Sequence, residues 1–403
     1  MKKSLKFQIT QFFIWTYLFV GATGFTCSAQ DRNSAYNNWT YKNLPDSYSG
    51  NSSGDLSQYQ TKVDAISSQA YDLTNSLPAG YNKDGTVDYT KYIQAGINNN
   101  KIVIFPDFPI LVNSKGLSLI SDSKVIFRKK SKLILQANAL ATYQILRIYG
   151  VNNVVLYFPV IQGDRKVHTG AVGQWGMGLS ICGSTNVLVV NPKISDCWGD
   201  GIYIGRLSSG INRNVTICNA SLDNNRRNGL SIVCADGLTI KKATISNTGG
   251  QMPMSGIDIE PNTNDDVIKN VKIDNVITYN NAMHGIVVSL SGLVGDHPQE
   301  VSVDIDNHID DSSSIGFGMS LTRSDKNKGL PLSGQLNVIN SIWKNDRKKG
   351  FQNYKGPYNG VNVTFKKLSI LKKDSRGGLS IDDSGISEMR TSLGADRKIT
   401  IQQ

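Results

Sequence analysis

The chain has 403 residues, 39% of them hydrophobic and 19% charged, with a formal net charge of +11. That composition excludes an intrinsically disordered or collagen-like chain and leaves ample apolar material for a large core. The positive excess argues for an acidic partner, but it does not by itself name one.

Lys2, Lys3 and Lys6 precede the apolar stretch Phe12–Val20, and Cys27-Ser28-Ala29 offers small residues before Gln30. Residues 1–29 therefore read as a secretory signal, and the protein as secreted or periplasmic. No later segment has the length or apolarity of a membrane span, so no membrane insertion is expected after cleavage. Nucleic acid is an improbable partner for an exported chain.

Residues 30–80 are rich in Asn, Ser, Tyr and Asp with weak periodicity. They read as a flexible polar lead-in that wraps the first coil of the domain beyond it. Asp84–Gln94 then changes character. Asp88 is a good N-cap, and Tyr92, Ile93 and Ile97 give one apolar face. The strand-like Lys101–Pro106 comes next, so the helix reads as a cap over the open end of a β core.

From Gly178 onward a four-residue pattern, glycine–apolar–any–apolar, recurs at Gly201, Gly229, Gly256, Gly285 and Gly316, with a degenerate copy at Gly350 and a return at Gly378. The spacings are 23, 28, 27, 29, 31, 34 and 28 residues. Each period adds a second apolar strand after an Asn- or Asp-rich turn, without helical patterning. That is the mark of a solenoid whose coils are strands. The expected fold is all-β: a single right-handed parallel β-helix over residues 81–403, with a short N-terminal capping helix. Asn191, Asn219, Asn275 and Asn307 fall at one place in the repeat and predict a side-chain amide ladder at a turn. Cys182, Cys197, Cys218 and Cys234 have no CxxC spacing and are expected as buried free thiols, with Cys218 in register with Val190.

Strand alternation turns the residue between the two apolar positions outward. That outward row reads Ser180, Tyr203, Ser231, Asp258, Val287, and the row two residues on includes Glu260. Asp258 and Glu260 thus point out together about 6.6 Å apart. Two carboxyls so placed suit acid and base, or acid and nucleophile, in glycosidic cleavage, and calcium binding is a further option. The row before each glycine contains Asp200 and His284, the latter a general acid/base candidate near neutral pH. Trp175 and Trp198 on adjacent coils suggest a platform for sugar rings. The longer loop from Gly163 to Gln174 brings Arg165 and His168 to the end of the expected cleft, and Arg165 or Arg226 with Arg227 suits a carboxylate clamp. Between Arg323 and Arg376 stand 13 Lys/Arg against three acids, a basic end suited to an acidic polymer.

The pattern DGxxDxTxxIQ at Asp84–Gln94, with the strand ending Phe105-Pro106 and the repeats after it, resembles the pectate-lyase-like superfamily of right-handed parallel β-helix proteins. That group includes polygalacturonases, polysaccharide lyases and tailspike depolymerases. The resemblance implies an enzyme on an acidic polysaccharide. Met283-His284-Gly285 and Asp200-Gly201-Ile202 are similar to polygalacturonase elements, but Met254-Ser255 and Arg227-Asn228 replace the paired Asp. Lyase, hydrolase, C5-epimerase and non-catalytic glycan-binding protein all remain open. Catalytic candidates are Asp258, Glu260, His284 and Asp200. Candidates for substrate binding are Trp175, Trp198, Arg165, His168, Tyr203, Arg226 and Arg227.

Overall fold

The computed structural model describes residues 39–50, 56–321, 329–354, 360–394 and 398–402. Residues 1–29, expected as a signal, and Arg323, Lys326, Lys328 and Lys355 of the basic end, lie outside them. Among the described residues no helix is long and apolar enough to cross a membrane.

Three parallel sheets of 12, 9 and 11 strands wind into a right-handed β-helix. Each coil contributes one strand to each sheet. The nine-stranded sheet carries the glycine signature and is called the signature sheet below. The twelve-stranded one is the long sheet and the remaining one the third sheet. Parallel pairing follows the expected register: Ser180 pairs with Tyr203, Tyr203 with Ser231, Ser231 with Asp258, and Asp258 with Val287. The apolar positions flanking that row, Leu179 and Ile181 through Phe317 and Met319, are fully buried.

The glycine is required by closeness rather than by backbone twist. A Cβ on Gly229 would lie 2.1 Å from Ile245 Cγ2 and 2.7 Å from the Gly256 carbonyl. On Gly256 it would meet the Gly285 carbonyl at 2.6 Å, and on Gly285 the Gly316 carbonyl at 2.6 Å. The glycines form one stacked row in which each carbonyl fills its neighbour's side-chain space. Gly350 takes its place in this row, since Phe351 pairs with Phe317.

Gly378 does not. Leu379–Ile381 folds back antiparallel on Ser369–Lys373 in the third sheet, with Leu379 and Ile381 exposed. Asp374 causes the reversal: its Oδ1 accepts from the N–H groups of Arg376 and Gly378. Two coils also precede Gly178 in the same sheet, through Leu117–Ser118 and Thr142–Tyr149. The register puts Ile145 opposite Gly178, so the sequence pattern is silent there.

Asn191, Asn219, Asn275, Asn307 and Asn340 stand at the corner between the long and third sheets, each with φ between 51° and 59°. Asn is favoured because it tolerates this left-handed conformation. Lys242 and Lys367 hold the same corner on other coils. The expected amide ladder lies elsewhere: Asn214 donates to Asn186 at 3.2 Å and Asn186 to Asn153 at 3.0 Å.

Both ends of the core are closed. The helix Thr90–Asn99 buries Ile93 and Ile97, and Asp88 Oδ1 accepts from the Thr90 N–H at 2.9 Å just ahead of it. A second helix, Asp383–Leu393, covers the other end with Met389 and Leu393 and has no counterpart in the sequence reading. The lead-in also departs from expectation. The helix Ser57–Ser67 docks Tyr59 and Val63 on Ile104, Ile126, Tyr157, Val190 and Cys218. The stretch before it crosses the middle coils of the third sheet. Trp39 Nε1 donates to the Asn280 carbonyl at 2.7 Å and the Tyr48 hydroxyl to Asp311 at 2.6 Å. Cys182, Cys197, Cys218 and Cys234 are buried free thiols, and Cys218 pairs with Val190.

Gly229→Ala is expected to cost at least about 2 kcal/mol by overpacking between coils. Gly378→Ala, outside the stacked row, is expected to cost less than about 1 kcal/mol. Urea unfolding of both variants measures the contrast, and equal losses would deny the stacked-glycine account.

Candidate functional site

The outward rows of the signature sheet do not simply face water. From Asp200 to His284 they form one hydrogen-bonded network across four coils. Asp200 is fully buried. It accepts from Arg227 Nη1 at 3.0 Å, from Ser231 Oγ at 2.8 Å and from the Asn228 N–H at 3.1 Å. Asn228 is the node: its Nδ2 donates to Ser231 Oγ at 2.9 Å and to Asp258 Oδ2 at 3.0 Å, and its Oδ1 accepts from the Ser255 N–H at 3.0 Å. Ser255 Oγ in turn lies 3.1 Å from His284 Nδ1, and His284 Nε2 lies 2.6 Å from the Tyr354 hydroxyl.

Asp258 and Glu260 are hydrogen-bond neighbours on one strand. Asp258 is 2% exposed and Glu260 half-buried. Burial pushes the Asp258 carboxyl well above the ordinary carboxylate range, and the neighbouring Glu260 charge adds to it, while Arg227 opposes. Two carboxyls in hydrogen-bond contact hold one proton between them. Burial also raises Asp200, against the pull of Arg227, Ser231 and Asn228. For Arg227, burial disfavours the charge, but Asp200, Asp258 and Glu260 together overcome it and hold the guanidinium charged.

The bonds of Arg227 run through Nη1 alone, to Asp200 and at 3.4 Å to Ser231. Its Nε is buried and meets no acceptor among the described residues. The side of the guanidinium formed by Nε and Nη2 is the one that grips a carboxylate with two parallel bonds.

His284 is brought to the same face, but burial pushes it down to about 3. It is neutral at physiological pH and serves as a two-bond connector between Ser255 and Tyr354, in place of the near-neutral acid/base expected for it. Tyr203 lies back over its own strand, against Gly205.

The remaining candidates are fastened to the rim. Trp198 has a covered ring: His168 stacks on it at 3.9 Å between centroids and the Arg226 guanidinium lies 3.7 Å from the ring centroid. The two tryptophans therefore form no shared platform, and only Trp175, 40% exposed, presents a surface. His168 Nδ1 is 2.7 Å from buried Asp164, which also accepts from Tyr143 and Asn138. Arg165 donates to the carbonyls of Asn224 and Gly249, and Arg226 to those of Gly173 and Trp198. These contacts pin the Gly163–Gln174 loop to its neighbours. Among the described residues no three His, Cys, Asp or Glu side chains converge as a metal set.

Asn228, Ser231, Ser255 and Tyr354 carry no sequence signal strong enough to single them out. Asn228 and Ser255 stand in the row of Asp200 and His284, and that shared row is the one cue the sequence offers for them.

No protein-family model matches the chain. Two curated relatives come from Bacillus subtilis (strain 168). The SPbeta prophage-derived uncharacterized protein YorA is 28% identical over 197 residues, 42% of this chain and 34% of its own length. The uncharacterized protein YclG is 24% identical over 279 residues, 61% of this chain and 47% of its own length. The chain thus spans less than half the length of either. Among solved structures, the tailspike of E. coli bacteriophage HK620, solved with a pentasaccharide, gives a TM-score of 0.56 at 12% identity, covering 77% of this chain and 59% of that one. The mannuronan C-5 epimerase AlgE6 A-module of Azotobacter vinelandii gives 0.51 at 14%, covering 75% and 87%. An iota-carrageenase bound to iota-carrageenan fragments gives 0.52 at 12%, covering 68% and 73%. At these identities the likeness concerns the fold: the chain is built as the right-handed parallel β-helix proteins are.

Proposed function

We propose that the protein is an exported enzyme acting on an acidic polysaccharide, with its reactive centre at Glu260, Asp258 and Arg227. The buried Asp258–Glu260 contact beside Arg227 is the observation that carries this reading. A proton held between two carboxyls is readily exchanged with a substrate. Glu260, half-buried, is the member that meets the sugar, and Asp258 keeps the proton at the pair. Arg227, whose side chain keeps 14% of its surface exposed, is the charge placed to receive a sugar carboxylate, and Asp200 holds the guanidinium in position through Nη1.

This geometry favours proton abstraction next to the sugar carboxylate over hydrolysis. Hydrolytic pairs stand about 5 Å or more apart to admit a nucleophile or a water. Here Glu260 takes the proton α to the carboxylate, and Arg227 stabilises the enolate-like charge that develops. If the glycosidic oxygen then departs with the proton Glu260 has taken, the result is elimination, and if water returns a proton to the other face, epimerisation. The neighbouring folds of the carrageenase, the epimerase and the tailspike agree with a polysaccharide as substrate.

Incubation with a panel of acidic and neutral polysaccharides tests this. Near-UV absorbance from unsaturated uronates together with new reducing ends is the expected result. Reducing ends without absorbance would move the reading to hydrolysis. Glycan retention with no chemical change, proton exchange into the polymer included, would leave a binding protein.

Two outcomes are specific to the site. Glu260→Gln is expected to lower kcat about 10²–10⁴-fold while leaving the melting temperature unchanged. The raised Asp258 carboxyl keeps its proton above the ordinary range, so kcat/KM should hold through neutral pH and fall on the alkaline side. Asp258→Asn should abolish that limb together with most of the rate.

A further inference from the structure

The inward row of the third sheet is apolar from Ile161 through Ile194, Leu222 and Ile245, and again at Trp343 and Ile370. Between them it is broken by Thr278 and Asp310, both fully buried. A carboxyl inside the core of a solenoid needs an account.

Its hydrogen bonds assign every proton around it. Asp310 Oδ1 accepts from Thr278 Oγ1 at 2.6 Å and from Ser313 Oγ at 2.7 Å, and Oδ2 from the Ser313 N–H at 3.3 Å. Since the Thr278 hydroxyl donates to Asp310, it accepts from His308 Nε2 at 2.8 Å. His308 Nδ1 then accepts from Trp343 Nε1 at 3.3 Å. Burial holds His308 neutral, pushed down to about 3. So Asp310 is an acceptor on every side. Against it lies the carboxyl of Asp346, whose two oxygens are buried and meet no donor among the described residues. The contact requires a proton, and the accounting places it on Asp346.

From this geometry we infer that the Asp310–Asp346 pair is a proton-dependent latch between the last coils. The two residues belong to successive coils, Asp310 to the strand Ile309–Asp311 and Asp346 to the turn after Ile342–Lys344. Loss of the shared proton sets two buried charges face to face across the coil boundary. The neighbouring Arg347 charge offsets them only in part. Arg347 spends Nη1 on the Ser312 carbonyl and Asn280 Oδ1, and Nη2 on the carbonyls of Asn281 and Ala282. Lys344 pairs with Asp311 at 3.7 Å. Solenoid coils are held chiefly by their neighbours, so the loss is felt first in the coils on the C-terminal side of the boundary.

The direction follows from the carboxyls. Burial raises Asp310 to about 6 and Asp346 well above its ordinary range. In the unfolded chain both ionise near pH 4. The shared proton is that of Asp346, so the latch is fully made below that pH and is lost only as pH rises through the raised range of Asp346. Tyr354, which bonds His284, comes directly after the last signature strand Lys349–Asn353 and leaves with it. That consequence for the site rests on the proposed function, whereas the latch does not.

Hydrogen exchange on the full chain between pH 5 and 10, corrected for intrinsic rates, tests the latch without an activity assay. Wild type should lose protection in Lys349–Asn353 and Asp383–Leu393 by about tenfold per pH unit in the transition, while coils before Ser246 keep theirs. Asp346→Asn retains a donor toward Asp310 and should keep the C-terminal coils protected across the range. If that variant does not fold, Asp310→Asn serves instead, with Asp346 as acceptor. An identical pH response in wild type and variant, or a loss spread evenly along the solenoid, would overturn the latch. Catalytic failure with the exchange pattern intact would count against the proposed function alone.

Discussion

Everything in this protein depends on one coil lying flat against the next. The parallel ladders set the spacing, and the stacked glycines answer it, because each carbonyl occupies the space a side chain would need. A chain that stacks this tightly turns its sequence into rows. Inward rows merge into a continuous apolar core, and outward rows become continuous polar strips. A residue's neighbours are then its counterparts one period away, some 30 positions distant in the chain.

That geometry explains why the polar face can be buried. An isolated Asp200 or Arg227 under so little water would carry a heavy desolvation cost. The rows bring Ser231 and Asn228 within bonding distance, and the guanidinium is set beside three carboxyls. The network closes almost completely. What stays open is specific: the Nε of Arg227, and a proton that two carboxyls must share. An unpaired guanidinium nitrogen beside a shared proton gives the face its chemical character.

The rims are stabilised differently. Loops leaving the third sheet are joined to one another by arginine-to-carbonyl bonds, by the His168–Trp198–Arg226 stack and by the N-terminal stretch around Trp39. Aromatic and cationic side chains that suggest sugar binding are here spent on holding the loops. At the C-terminal end the same tight stacking brings Asp310 against Asp346, so that a coil boundary acquires a dependence on pH.

The sequence by itself determined the repeat, the inward and outward alternation and the register of the outward row, because a period of two within a strand and one glycine per coil are both local signals. It also placed Asp200, Asp258, Glu260 and His284 on one face. It misread Gly378, since four residues cannot show whether the strand they form runs parallel or turns back at Asp374. It did not reveal that Trp198 is covered, that His284 is neutral or that Asp258 and Glu260 touch. Burial, stacking partners and shared protons depend on side chains from other coils and on loops of irregular length. Only the folded solenoid brings those together, and so only the tertiary structure decided which polar residues are structural and which are left free to act.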